Sequence, residues 1–269
     1  MYSFSVLLSL YNKELPENLR VSLDSIFNQT IRPSEVILVE DGPLTDELYS
    51  SVSEYVNKYP EIKVVALPQN VGLGAALNEG LKHCSYELIA RMDTDDVCKP
   101  FRFERQLKLF NEYPEVDVCS SWIDEFIGNT DNVVSQRRLP ETNEEIIKFA
   151  KGRCPINHPA VMYRRSKVLE VGGYQGFPED LYLWVKLIMS GAKFYNIQES
   201  LIYFRTSNDV YKRRGGWKYA KDDIKAQWSF YKMGFLSFLE MNKNIAIRVS
   251  VRLMPNSVRS LVYKKLLRK

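Results

Sequence analysis

Between residues 4 and 92 the chain alternates four short apolar runs with three stretches of helical periodicity. The runs are "FSVLLSL", "SEVILVE", "IKVVAL" and "YELIARM"; between them lie "ENLRVSLDSIFNQ", "ELYSSVSEYVNKY" and "GLGAALNEGLKHC". Strands separated by whole helices are not hairpin partners. They join by right-handed crossovers, and the product is a mostly parallel sheet. "EVILVE" is apolar through its centre, as expected of a strand covered on both faces. The fold class is therefore α/β, a mostly parallel central sheet flanked by helices.

In an open sheet of this kind ligands bind outside the carboxyl ends of the strands. Those ends are Ser9 to Asn12, then Glu40, Asp41 and Gly42, then Pro68 to Gly72, then Asp93 to Asp96. All four are polar, and the last, in "LIARMDTDDVCKP", crowds Asp93, Asp95 and Asp96 together directly after a buried run. Clustered carboxylates raise one another's proton affinity, so a fold tolerates them when they are well solvated or meet a cation. A polar turn, or a cap on the helix expected over "FRFERQLKLF", accounts for one Asp more readily than for three.

Beyond residue 100 the pattern is mixed. A helix is expected over "RFERQLKLFNEY", a strand over "VDVCSSWIDEFI", a turn at "GNTDN", a helix over "NEEIIKFAK" and two short strands at "KFYNI" and "LIYFR". A break is expected between Thr206 and Gly216, where "RRGG" interrupts and the charge balance changes. Residues 211–269 hold 15 Lys and Arg against 3 Asp and Glu, whereas residues 1–210 hold 22 against 30. The expected organisation is residues 1–210 as a catalytic domain, with a nucleotide-binding half 1–100 and an acceptor half 101–210, followed by a basic amphipathic helical region 211–269. Cys84, Cys98, Cys119 and Cys154 have neither zinc-site spacing nor disulfide density, which points to a reducing cytoplasm. No apolar run is long enough to span a bilayer, and "FSVLLSL" lacks the flanks of a signal peptide.

With these residues in view the chain resembles a family 2 nucleotide-sugar glycosyltransferase of the GT-A fold, of the bacterial O-antigen and exopolysaccharide type. The resemblance covers about residues 3–206 and rests on ordered motifs: "SVLLSLYNKE", "SLDSIFNQTIRPSEVILVEDGP", "NVGLGAALNEGL", "IARMDTDDVCKPFRFERQ", "HPAVMYRR" and "GGYQGFPEDLYLWVKL". It implies that Asp93 contacts the nucleoside and Asp95 binds a divalent cation, Mn²⁺ or Mg²⁺, which screens the departing diphosphate. It implies Asp41 on the uracil edge, the backbone of Ser9 and Leu10 on the other side of the base, and Asn70 and Gly72 in the nucleotide-proximal loop. It places the catalytic base of an inverting transfer at Asp180, with Glu179 beside it. Arg91 either balances the phosphates or fills a strand position, and Asp96 either joins the site or caps the following helix. His158 is expected to be structural or to meet the acceptor, rather than to bind metal. Trp184, one turn beyond Asp180, either stacks on a sugar or lies in the core.

The function implied is transfer of a hexose or N-acetylhexosamine from a nucleotide diphosphate sugar, with UDP favoured, to a polyprenyl-diphosphate-linked sugar. The protein is expected to sit in the cytoplasm on the inner face of the membrane, touching anionic lipid through residues 235–269 and no nucleic acid. One rival is a nucleotidyltransferase acting on a sugar phosphate, which would need a Gly-rich basic loop where this chain has "SLYNKELPENL". The other is a non-catalytic nucleotide-sugar-binding module, which has no use for Asp180.

Overall fold

The computed structural model describes residues 3–207, 215–255 and 258–259. Strands β1 (Phe4–Leu10), β2 (Glu35–Glu40), β3 (Ile62–Ala66) and β4 (Leu88–Arg91) pair in parallel in the order β3-β2-β1-β4. Helices α1 (Pro16–Phe27), α2 (Asp46–Lys58) and α3 (Leu73–His83) are the crossovers. Pro16 opens α1 where its missing N–H costs nothing, and the Thr45 hydroxyl caps α2 by accepting from Leu48 N–H. All seven elements lie where the alternating pattern places them, with ends shifted by at most two residues.

The period of two along β1 and β2 builds two apolar layers. Phe4, Val6, Leu8, Val36 and Leu38 face α1 and α2, joined by Leu19, Leu23, Phe27, Leu48 and Val52. Leu7, Ile37 and Val39 face α3, joined by Ala76, Leu77 and Leu81. Each fully buried aliphatic side chain contributes roughly 1.5–3 kcal/mol, so the register that sends each set inward is strongly specified.

The second half adds β5 (Val97–Cys98), α4 (Arg102–Glu112), β6 (Val118–Phe126), β7 (Val133–Arg137), α5 (Asn143–Ala150), a 3₁₀ turn (His158–Ala160), β8 (Met162–Arg164), α6 (Arg165–Glu170), α7 (Glu179–Met189) and β9 (Phe194–Arg205). The sheet continues β4-β8-β6-β9-β5, with β7 pairing on β6. The antiparallel pairings are short, so by paired residues the sheet stays mostly parallel. The two runs expected at "KFYNI" and "LIYFR" are one strand, β9. Its pairing with β6 shifts register on either side of Trp122, which accommodates the polar Gln198 and Glu199 between the apolar runs.

After β9 come α8 (Trp217–Lys232) and α9 (Phe238–Leu253). Most of the expected break at 206–216 falls outside the described residues. Ala226, Phe230, Phe235 and Leu236 form a third apolar cluster with Ala150 of α5 and Leu181 and Val185 of α7. Asp223 is buried on α8 and accepts from Arg248 at 3.1 Å and Arg252 at 2.7 Å. The Asn244 side chain donates to Lys151 C=O at 2.6 Å. These contacts turn one side of α9 toward α8 and Lys151, within the stretch 235–269 expected to lie on a membrane. Within α9 two arginines turn inward, because the buried Asp223 carboxylate requires neutralisation. The tail's remaining segments, 256–257 and 260–269, lie outside the described residues. Among the described residues no helix is long and apolar enough to cross a membrane.

Candidate functional site

The carboxyl ends of β1, β2 and β4 open on a cleft of about 430 Å³, lined by Ser9, Tyr11, Glu14, Asp41, Asn70, Gly72, Leu73, Asp93, Thr94, Asp95 and Phe204. Six of the residues expected from sequence meet there: Ser9, Asp41, Asn70, Gly72, Asp93 and Asp95.

Asp41 organises one wall. Its N–H donates to Leu10 C=O at 2.7 Å, so the Leu10 backbone positions Asp41, while the Leu10 side chain lies in the core. The carboxylate accepts from Val71 N–H at 2.7 Å, Asn70 Nδ2 at 3.0 Å and Gly72 N–H at 3.1 Å. Two oxygens offer about four acceptor sites, so one remains for a further donor. Gly42 makes the fit possible, since a Cβ there would stand 2.5 Å from Asn70 N at a φ of 86°. Gly72 shares that φ, but a Cβ on it would meet nothing within 4 Å, so its backbone borders open space at the start of α3.

The opposite wall is acidic. The side-chain oxygens of Asp93, Asp95 and Asp96 all lie within 4.8 Å of one another. Arg91 grips both oxygens of Asp93, through Nη1 at 2.7 Å and a second, shorter contact from Nη2. It is 1 % exposed, so of its two expected placements it takes the strand position: Arg91 lies beneath the cleft and presents Asp93 to it. Asp96 is fully buried. Its Oδ1 accepts from Arg205 N–H at 2.8 Å, and its Oδ2 has no partner. The cap of α4 falls instead at Phe101, so Asp96 does not cap that helix.

Burial raises the proton affinity of Asp95 to about 7, with further contributions from the charges of Asp93 and Glu14. Burial, then Asp93 and Asp95, raises that of Asp96 further still. A buried carboxylate oxygen with no donor, inside a group of three carboxylates, takes either a proton or a cation. An all-oxygen donor set suits a hard divalent ion. The residues fit such an ion, with Asp93 and Asp95 lining the cleft and Asp96 buried beside them.

Glu179 and Asp180 begin α7, outside the cleft lining. Asp180 Oδ1 accepts from Leu181 N–H at 2.7 Å, and the Cys154 thiol reaches Oδ2 at 3.6 Å. Burial raises the proton affinity of Glu179, as does Asp180, and it also feels the charges of Arg91 and Asp93. The start of α7 therefore shares an electrostatic neighbourhood with the acidic wall. The "GGY" turn fixes this helix against α3: Asn78 Nδ2 donates to Tyr174 C=O at 2.7 Å and Asn78 Oδ1 accepts from Tyr174 N–H at 2.8 Å.

His158 and Trp184 are buried together, their rings edge to face at 5.9 Å. Trp184 is fully buried, so of its two expected placements it takes the core and offers no face to a sugar. His158 Nε2 lies 3.0 Å from the Tyr174 hydroxyl, and His158 is not part of the acidic cluster. Burial, with the nearby Arg91 charge, holds its proton affinity well below the usual value.

Sequence reasoning missed Tyr11, Glu14, Leu73, Thr94 and Phe204. Tyr11 falls within the inspected end of β1 and Glu14 lies just past it, so their positions were available. Phe204 arrives from the far end of β9, and no local pattern announces it.

The model of the family described as glycosyl transferase family 2 matches residues 5–173. The chain belongs to that family. An uncharacterised glycosyltransferase of Haemophilus influenzae is 42% identical over 266 residues, covering 99% of both chains. A UDP-Gal:α-D-GlcNAc-diphosphoundecaprenol β-1,3-galactosyltransferase of Escherichia coli is 41% identical, covering 99% of this chain and 97% of its own. Among solved structures, Staphylococcus aureus TarS (residues 1–349) with UDP-GlcNAc superposes with a TM-score of 0.65 at 18% identity, covering 98% of this chain and 71% of that one. The Pyrobaculum calidifontis mannosyltransferase PcManGT, with GDP-Man and Mn²⁺, reaches 0.64 at 15%, covering 93% and 70%. These likenesses show the GT-A fold. The chain is a family 2 glycosyltransferase, and its chemistry is transfer of a sugar from a nucleotide donor to a glycan acceptor.

Proposed function

We propose that this glycosyltransferase moves a hexosyl group from a UDP-sugar to a hydroxyl of a sugar carried on a polyprenyl diphosphate, inverting the anomeric centre, with a divalent cation in the cleft. The observation that carries the reading is the cleft itself. Within one cavity it sets a carboxylate with one free acceptor site, Asp41, opposite a carboxylate cluster suited to a cation-bound diphosphate. The full-length likeness to the galactosyltransferase supports the lipid-linked acceptor and makes galactose the first sugar to test.

In this reading the base edge lies against Asp41, where an N–H donor fills the remaining acceptor site and a wrong base leaves it unpaired. Asp93, held by Arg91, meets the nucleoside. Asp95, with Asp93 and Asp96 beside it, would hold the cation, which supplies charge screening for the diphosphate as it leaves. Asp180 takes the proton from the attacking hydroxyl on the face away from the diphosphate, and a single displacement of that geometry inverts. Association with the inner face of the membrane follows from an acceptor with a lipid tail.

The test is transfer from UDP-galactose, UDP-glucose and UDP-N-acetylhexosamines to GlcNAc-diphosphate on a short lipid, with Mn²⁺ or Mg²⁺, and products read by mass spectrometry. The expected product is the acceptor plus one hexosyl unit, with UDP released. Release of pyrophosphate with formation of a nucleotide sugar would identify a nucleotidyltransferase instead, and donor binding without any turnover would identify a binding module.

A further inference from the structure

Helix α8 buries Ala220, Asp223, Ala226, Gln227 and Phe230 on one side. On the other it exposes Trp217, Lys221, Lys225, Trp228 and Lys232, spaced four, four, three and four residues apart and so forming one stripe. Trp217 is 60% exposed and Trp228 46%. The stripe continues off the helix end: the Trp228 and Tyr231 rings lie 5.7 Å apart, and Tyr231 meets Phe238 at 5.9 Å. Phe238 is 57% exposed and the neighbouring Leu239 79%. Large aromatics are costly to leave in water, and tryptophan is the side chain that prefers the headgroup layer of a bilayer. Interleaved lysines give the same face a positive charge complementary to anionic lipid. Of the two acidic residues of α8, Asp223 is turned inward and neutralised by Arg248 and Arg252, and Asp222 is half-buried at the side of the stripe, where the three lysines of the stripe outnumber it.

We infer that the Trp217–Lys232 face of α8, rather than the inward-turned arginines of α9, is the surface on which the protein rests on an anionic bilayer. Its position suits that role. The Tyr219 ring, in the first turn of α8, lies 6.3 Å from Phe177, three residues before Asp180. Tyr182 of α7 packs on Phe230 at 4.8 Å. Tyr219 and Phe230 lie on the side of α8 opposite the exposed stripe. A bilayer under the stripe is thus separated from the entry to α7 by the thickness of one helix, about 10 Å, a distance that the diphosphate and sugar of a lipid-linked acceptor can span to reach Asp180. The inference rests on the proposed lipid-linked acceptor for its purpose, but not for its test.

Full-length protein is mixed with vesicles of phosphatidylglycerol or phosphatidylcholine whose chains are brominated, so that lipid contact quenches tryptophan fluorescence. Quenching is expected with phosphatidylglycerol and not with phosphatidylcholine. It is expected to disappear in Trp217→Phe/Trp228→Phe, in which Trp122 and Trp184 still emit. In co-sedimentation, Lys221→Glu/Lys225→Glu is expected to lower partitioning by at least about tenfold, from the usual contribution of each basic residue near lipid. Donor-nucleotide binding unchanged in both variants shows that they are folded. Vesicle binding equal to that of the native chain in the lysine variant, or quenching undiminished in the tryptophan variant, overturns the inference. So does absence of vesicle binding together with a dimer that the tryptophan substitutions dissociate. If vesicles bind as expected while no lipid-linked sugar is ever an acceptor, the surface stands and only the proposed reaction fails.

Discussion

The backbone N–H of Arg205 donates to Oδ1 of Asp96 over 2.8 Å, tying the last residue of β9 to a carboxylate 109 positions earlier. The same residue's guanidinium donates to Asp95 C=O at 2.8 Å and Gly128 C=O at 2.9 Å. Adjacent aspartates therefore have different work: Asp96 braces the loop from beneath, and Asp95 faces the cleft. Asp96→Ala leaves a part-buried N–H without its acceptor and is expected to cost about 1–3 kcal/mol of stability. Asp95→Asn removes a charge that its neighbours oppose, so melting of the metal-free protein is expected to stay level or rise. Thermal denaturation of the two variants in EDTA checks the contrast.

Added Mn²⁺ is expected to stabilise the native chain, by about 2.7 kcal/mol at a hundred times its dissociation constant. That shift is expected to vanish in Asp95→Asn. A variant that still gains the full shift would move the cation away from the Asp93–Asp96 loop.

The 70–72 loop hangs on one carboxylate. Asp41→Ala removes three hydrogen bonds from Asn70, Val71 and Gly72 together. Faster amide exchange at Val71 and Gly72 is expected, along with weaker UDP binding. Asp41→Asn keeps one acceptor oxygen and is expected to fall between the two. Exchange rates and UDP titration on both variants test whether the loop and the base pocket share this anchor.

The parallel half of the fold and the acidic wall were legible because both are written locally. Apolar runs mark β1 to β4, and their polar ends mark the rim where Ser9, Asp41, Asn70, Asp93 and Asp95 converge. What stayed hidden depends on distant partners. Arg91 reads as a charge near the site, and only the packed sheet shows that it is sealed under Asp93. Trp184 follows Asp180 by one helical turn, yet the face that helix buries is decided by β8 and the 3₁₀ turn carrying His158. β5 and β7 are set by pairing with β9 and β6 rather than by any periodicity of their own. The inward turn of Arg248 and Arg252 in α9 stayed hidden for the same reason, since both reach a buried Asp on another helix.

His158 gives a pH signature. In the fold its proton affinity lies well below the 6.5 of a free imidazole, chiefly through burial and then through Arg91. The unfolded chain therefore takes up a proton as pH falls below about 6.5, while the native chain does not. Stability is full above that pH and is lost as pH drops toward the folded value, by up to about 1.4 kcal/mol per pH unit. His158→Gln is expected to flatten this part of the curve whatever its absolute stability. Denaturant midpoints from pH 7.5 to 5 measure it, and an unchanged slope would show that other groups set the acid limit.

Asp180 is the remaining assignment, and its local geometry offers a competing role. At the second position of α7 its Oδ1 accepts from the N–H of the next residue, Leu181, at 2.7 Å. A carboxylate in a first helical turn gains about 0.3–1 kcal/mol from the helix dipole alone. A purely structural Asp180 would thus show itself as a small loss of stability when replaced, with turnover of the folded fraction intact. A general base contributes about 10² to 10⁴ in rate. Asp180→Asn keeps the oxygen that accepts from Leu181, so melting is expected to change little while kcat falls by at least about 10². Donor and cation affinity are expected to hold, because Asp180 lies outside the cleft lining. Glu179→Gln is the control: its side chain shares the electrostatics of α7 but is not assigned the proton, so a much smaller fall in kcat is expected. NMR of the product's anomeric proton completes the test. A retained configuration, or near-native turnover in Asp180→Asn, would leave Asp180 as a helix-end carboxylate and require the base to be sought elsewhere along the cleft.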